Sequence, residues 1–308
     1  MMKNLKTPPY YTSLASALVT LFGNSVAIAQ TDRLSGGDIN KAYGLTLNTG
    51  DHIFMKANAK QNASIFTAEA EGLSAISATK TIGTPEILCT GTDNGEDAGY
   101  SFILERYVES SEPVGDYWKI LGRELAEMHK ADTQKFFEKK FGFIRDNFIG
   151  LSEQKNSPKD SWVQFFRENR LLPQFKKAEK YFEESDAALI TKLLDHLEEF
   201  LVEPEKPSLL HGDLWYGNVL CSSKGKAILI DPATYIGHAE ADLAMTELFG
   251  NFPKEFYAAY NEVNSIQKDG YESRRDLYNL YHLLNHLNTF GSDYLSPVKS
   301  IIAEYVGN

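Results

Sequence analysis

The stretch Leu209-Leu210-His211-Gly212-Asp213-Leu214-Trp215-Tyr216-Gly217-Asn218-Val219-Leu220 sets two apolar runs around a short polar loop. Thirteen residues after Asn218 comes Asp231, at the end of Ile228-Leu229-Ile230-Asp231-Pro232, the pattern of a short buried strand closed by an acid. A strand–loop–strand hairpin of this kind delivers an acid, an amide and a second acid together. Phosphoryl transfer from ATP needs such a set: one carboxylate to orient the acceptor hydroxyl and take its proton, and an amide and a carboxylate to hold Mg²⁺. These residue types assign Asp213 as the base and Asn218 and Asp231 as the metal ligands.

The spacing from Asp213 to Asn218 matches the D-x-x-x-x-N pattern of the kinase catalytic loop. With Ile230-Asp-Pro-Ala233 and Gly237-His-Ala-Glu-Ala-Asp-Leu-Ala244, the stretch resembles the fructosamine kinase (ketosamine-3-kinase) family, neighbour to the aminoglycoside phosphotransferases and choline kinases. His-Gly-Asp with a downstream acid indicates only the broad superfamily; Trp215 and Asp231-Pro-Ala point to this family in particular. The resemblance runs from about Ser35 to about Gly291. It implies a two-lobed protein-kinase-like fold and ATP-dependent phosphorylation of the sugar part of a ketosamine at its third hydroxyl, with deglycation repair as the pathway role.

Upstream of the loop, the pattern reads as a small lobe. Ser35-Gly36-Gly37-Asp38-Ile39-Asn40 is a turn between strands, where glycines allow backbone N–H groups to approach ATP phosphates closely. Some relatives carry a cysteine in this loop; here the position is Asp38, so a thiol switch is not available there. Ile53-Phe54-Met55-Lys56 reads as a strand ending in a lysine, and Phe66 to Thr79 as a helix with Ala70, Leu73 and Ile76 at three-residue spacing. A kinase-like lobe uses such a lysine on the phosphates and an acid on the helix to hold the lysine; alignment to the family favours Glu69 over Glu71. Thr84 to Leu88 and Tyr100 to Tyr107 read as the last strands, with Asp93-Asn-Gly-Glu-Asp97 as the turn between them. Backbone groups of Glu105 to Tyr107 would face the adenine edge. Composition turns polar after Val108, which sets the boundary: residues 1–108 as a nucleotide-binding lobe of about five antiparallel strands and one main helix, and 109–308 as a mostly helical lobe carrying the catalytic loop and acceptor site. The class is α+β, with ATP in the cleft between lobes.

In the second part, Trp118, Leu121, Leu125 and Met128 mark a helix over about 115–130, with His129 at its end as a capping or packing residue. Phe136 to Ile149 reads as an irregular connector. Helices follow over 162–171 and about 186–201, the latter stopped by Pro204 and Pro207. Asp242 lies in the first turn of a helix from Glu240 to Phe249; in the resembling families an acid here hydrogen-bonds the catalytic-loop backbone. Leu277, Leu280, Tyr281, Leu284 and Leu287 define a late helix, on which His286 resembles a histidine of the family's substrate side. Trp215, two residues past the base, is placed to stack on a sugar.

A net charge of −11 over 308 residues disfavours nucleic acid as a partner, whereas ATP needs only a local cationic pocket. Cys89 and Cys221 show no metal-ligand spacing and read as reduced, packed thiols. Lys3, Lys6, the apolar run Leu14 to Phe22 and Ala27-Ile-Ala29 imitate a secretory signal. Pro8-Pro9 and Gly23-Asn-Ser25 interrupt that pattern, so the reading is a helix over about 10–22, a first strand over about 25–34, and a cytoplasmic protein. No stretch reaches the ~18 apolar residues of a membrane span. Within enzymes the rival reading is an aminoglycoside or choline-type phosphotransferase; outside them, a nucleotide-binding protein without turnover, which the joint presence of Lys56, Asp213, Asn218 and Asp231 disfavours.

Overall fold

Alternation along one strand organises the first part of the molecule. In His52–Ala59, Met55 and Ala57 face a buried apolar cluster with Leu45, Phe102 and Leu104, while Lys56 points to the opposite face. The computed structural model describes residues 7–35, 39–95, 98–135, 137–138, 140–266 and 270–307. They divide into two compact units. The described residues up to Tyr117 form one with Val219–Pro232; Trp118–Asn218 and the described residues from Ala233 form the other.

The sheet unit begins with β1 (Tyr10–Tyr11), α1 (Leu14–Phe22), β2 (Ile28–Leu34), β3 (Lys41–Leu47), β4 (His52–Ala59), α2 (Ala63–Thr79), β5 (Ile87–Asp93) and β6 (Tyr100–Arg106). Strand order is β1-β5-β6-β4-β3-β2, and every neighbouring pair is antiparallel except β1 with β5. The sheet is therefore six-stranded and mixed, where the sequence suggested five antiparallel strands. The added strand is short and follows Pro8-Pro9, and Gly91 makes room for it: a Cβ there would lie 2.4 Å from the Tyr11 carbonyl oxygen. The expected 10–22 helix accordingly starts at Leu14, where the Ser13 side chain caps the Ser16 N–H. Ala17 and Leu18 of α1 join the apolar cluster on one face of the sheet. On the other, Phe66 and Ala70 of α2 pack with Ile103.

The second unit opens with α3 (Tyr117–Lys130), whose first residue belongs to the sheet unit. The hairpin β7 (Asn147–Ile149) and β8 (Ser152–Gln154) and α4 (Trp162–Phe166) follow. A π turn over Arg167–Leu171 continues α4 into α5 (Leu172–Ala178). Then come α6 (Glu184–Asp195), α7 (Leu197–Phe200) and β9 (Ser208–Leu210). The chain returns to the sheet unit for β10 (Val219–Cys221) and β11 (Ala227–Leu229), an antiparallel hairpin tied by the Leu229 N–H to the Gly83 carbonyl at 2.9 Å. A division of the chain at residue 108 leaves this hairpin with the helices; its bonds put it with the sheet. β12 (Tyr235–Gly237) then pairs with β9, and α8 (Glu240–Leu248), α9 (Lys254–Val263), α10 (Tyr271–Phe290) and α11 (Leu295–Val306) complete the helical unit. All five apolar residues that marked the late helix are buried in α10. No helix among the described residues is long and apolar enough to cross a membrane. Both cysteines are free and buried, and burial pushes the Cys89 thiol up to about 12.

Candidate active site

In the sheet unit the chemistry gathers on Lys56. Strand alternation turns it toward α2, where its ammonium bonds to the Glu69 carboxylate and to Asp231 just beyond β11. Glu69, and not Glu71, is the partner on the helix. The lysine is 6% exposed. Burial works to lower its pKa, but Asp231, Glu69 and Glu105 together hold it above the ordinary value, so it is a fixed cation. Burial likewise raises Glu69, against the opposing pull of Lys56.

Glu105 was read as contributing only its backbone. Its side chain is buried on the Lys56 face, with Oε1 lacking any hydrogen-bond partner. Burial, opposed by Lys56 and reinforced by Glu69 and Asp231, pushes this carboxyl up to about 8. Asp231 adopts φ +55°, a left-handed backbone that Asp tolerates better than most side chains. Its side chain is 41% exposed, so one carboxylate oxygen can serve Lys56 and the group remain reachable.

In the helical unit the loop after β9 is held from behind. The N–H groups of His211 and Gly212 donate to Asp242 at 2.7 and 2.8 Å, as the family resemblance implied. Gly212 has φ +83°, and a Cβ there would lie 2.1 Å from the Ala233 carbonyl oxygen, so glycine is required twice over. Ahead of this brace, Asn218 Nδ2 donates to the Asp213 carbonyl at 2.8 Å and to its carboxylate at 3.1 Å. The amide nitrogen thus fixes the acid and leaves the amide oxygen as the donor a hard cation takes.

His129 does more than pack. Asp242 can only accept when ionised, so His129 Nε2 donates to it at 3.2 Å, while Nδ1 shares a 2.8 Å hydrogen bond with the Tyr260 hydroxyl. Asn264 Nδ2 in turn donates to that hydroxyl at 2.9 Å. Burial alone would raise Asp242; its bonds from His129 and Gly212 and the nearby imidazoles outweigh that and hold it low. The sequence signal for this role was slight: a histidine in the last turn of α3, with no motif around it.

Trp215 is 39% exposed, so its ring is not part of the buried core. His286 Nδ1–H donates to the His282 carbonyl at 2.8 Å, leaving Nε2 as an acceptor. Its ring is flanked by Phe249, Phe290 and Tyr294 at centroid distances of 4.7, 5.3 and 5.0 Å. Tyr107 lies just past β6, tilted against His52 at 6.4 Å. Gly36, Gly37 and Asp38 lie outside the described residues. Among the described residues no three His, Cys, Asp or Glu side chains cluster as a metal site.

A lysine paired with a helix acid and a strand-end acid, and a separate Asp–Asn loop braced by a helix acid, match the arrangement expected of a phosphotransferase. The family profile for fructosamine kinase matches residues 10–308. The chain belongs to the fructosamine kinase family. It is 36% identical over 302 residues to a Synechocystis sp. protein named "probable ketoamine kinase", covering 97% of this chain and 98% of that one. It is also 36% identical to a protein-ribulosamine 3-kinase of Arabidopsis thaliana, covering 99% and 94%. Among solved structures, one described as a fructosamine-3-kinase of Thermobifida fusca superposes with a TM-score of 0.80 at 31% identity, covering 96% and 99% of the two chains. An aminoglycoside phosphotransferase in complex with ADP and hygromycin B shares the fold, with a TM-score of 0.61 at 16% identity and 96% and 98% coverage.

Proposed function

We propose that this member of the fructosamine kinase family transfers the terminal phosphoryl group of ATP to the 3-hydroxyl of the sugar in a ketosamine, free or protein-bound. The observation that carries the reading is the Asp213 carboxylate held by Asn218 on a loop braced by Asp242. Asp213 orients the acceptor hydroxyl and takes its proton. Lys56, kept charged chiefly by Asp231 and Glu69, holds the phosphates. Gly36 and Gly37 are assigned to the phosphates, and the Glu105 to Tyr107 backbone to the adenine edge. Bound Mg²⁺ supplies charge neutralisation on the transferred group. Asn218 and Asp231 would hold it: both offer hard oxygen donors, and the Asn218 amide already presents its nitrogen to Asp213. Trp215 and His286 serve the acceptor. Residues 1–108 are assigned to the nucleotide and 109–308 to the acceptor, with Asp231 contributing to the nucleotide side. Catalysis rests on alignment and electrostatics and needs no covalent intermediate.

The phosphorylated product would shed its sugar, which makes deglycation repair the role. Need for ATP and two free thiols fit a cytoplasmic enzyme. The test is phosphate transfer from ATP to a panel of glycated lysines and peptides, with kanamycin and choline as controls. Asp213→Asn should lower kcat by roughly 10²–10⁴-fold with ATP binding near normal, and Asp231→Asn should abolish turnover. Transfer to kanamycin or choline in preference to every ketosamine would overturn the substrate assignment; unchanged turnover in Asp213→Asn would overturn the base.

A further inference from the structure

Gly217 belongs to the loop motif, yet no step of the chemistry above uses it. It sits in a single 3₁₀ turn, Tyr216–Asn218, between the candidate acceptor platform and the candidate metal ligand. Its backbone does not lie in the left-handed region, so conformation alone does not demand glycine. Space does. A Cβ on Gly217 would lie 2.4 Å from Trp215 Cη2, 2.6 Å from Cζ2 and 2.8 Å from Cζ3, and these are the three nearest atoms. Real Cβ contacts are never so short, and all three atoms belong to the six-membered ring of the indole. The ring therefore rests on the bare Cα of Gly217, two residues further along its own loop. The ring of a tryptophan that is 39% exposed thus has a seat within its own loop. The Trp215 N–H reaches the Asp213 carbonyl at 3.2 Å and the Asn218 N–H reaches the Trp215 carbonyl at 3.0 Å, so the backbone beneath the ring is fixed too.

We propose that Gly217 is a positioning residue: it seats the Trp215 ring so that its outer face meets the sugar of the acceptor, a role that rests on the reading of Trp215 as the acceptor platform. An exposed aromatic side chain without a seat samples several rotamers and presents its face only part of the time. Holding it in place removes that ordering cost from binding. A methyl group at 217 lifts or rotates the ring while leaving the main chain in an allowed conformation.

A double-mutant cycle tests this. Gly217→Ala should raise KM for a glycated lysine by roughly 2- to 12-fold, the range of an aromatic contact, with KM for ATP little changed. Placed on Trp215→Ala, the same substitution should add nothing, and the double variant should melt with the single Trp215→Ala variant. Emission of Trp215, isolated by subtracting the spectrum of Trp215→Phe because the chain has three tryptophans, should shift in Gly217→Ala. Equal KM increases in both backgrounds would show that the methyl acts without the ring and overturn the seat. So would a Gly217→Ala enzyme with unchanged KM and emission. If Trp215→Ala leaves KM for the ketosamine unchanged, the platform reading fails and the acceptor role of Gly217 falls with it, while the emission shift still reports separately whether the ring moved.

Discussion

Glu105 shows how much a single side chain can hold that its motif does not announce. Its carboxyl titrates at about 8 in the fold, against 4.5 for the free group, chiefly because it is buried. Between those values the folded protein holds a proton that the unfolded chain has released. The stabilising contribution is complete below pH about 4.5 and is lost as pH rises through about 8. Glu105→Gln removes this dependence, so its melting temperature relative to wild type should climb from pH 5 to pH 9; parallel melting curves across that range would show that Glu105 is not held protonated. Residue by residue, the sequence singled out Lys56, Glu69, Asp213 and Asn218 through short motifs, and the structure pairs Lys56 with Glu69 and Asn218 with Asp213, while their roles remain as proposed. The Glu105 carboxyl and His129 stayed hidden. Burial of an acid or an imidazole is set by what packs over it, and residue type predicts the opposite for glutamate.

At the level of elements, α2 and α3 stand within a few residues of where their apolar spacing puts them, α8 matches the helix read after the Gly237 turn, and α10 carries its five marked apolar residues but starts six residues before the first of them, at Tyr271. Short or aperiodic pieces were not legible. β1 has two residues and therefore no period, and its pairing depends on a glycine eighty residues beyond Tyr11. Nor does any repeat in sequence separate α4 from the π turn that follows it. Gly91 offers a direct check on the added strand. Any larger residue meets the Tyr11 carbonyl oxygen at 2.4 Å and the Phe102 ring at 2.6 Å. Gly91→Val should cost about 1–3 kcal/mol by overpacking, read from denaturant melts. It should also raise amide exchange at Thr90, whose N–H donates to the Pro9 carbonyl at 3.0 Å. A variant as stable and as protected as wild type would remove β1 from the sheet.

Across the whole molecule, acid should be the weak side. His238 and His282 are buried in the helical unit and held at about 3 against 6.5, in both cases mainly by burial, with Arg274 near the first and His286 near the second adding to it. Above pH 6.5 neither the folded nor the unfolded chain carries these protons. Below it the unfolded chain takes them up and the fold does not, so stability that is whole above 6.5 drains away toward pH 3, by at most about 1.4 kcal/mol per pH unit for each imidazole. Unfolding free energies at pH 6.5, 5.5 and 4.5 should fall by the two imidazoles' share less the opposite contribution of Glu105, and His282→Gln should flatten the fall. An unaltered slope in the variant would assign the acid limb to other groups. The grouping of Val219–Pro232 with the sheet was not legible in the sequence, since the main-chain bond from Leu229 to Gly83 that ties it there leaves no mark on either segment.

That hairpin has a consequence for how such a gene can be recombined. The sheet unit is written in two separated passages, and Asp231 lies in the second. A single crossover after residue 117 between two members of the family would not exchange complete units. It would marry one parent's Lys56 to the other parent's Asp231, so a working chimera needs a second and a third junction, at 218 and 232, to carry the hairpin along with its sheet.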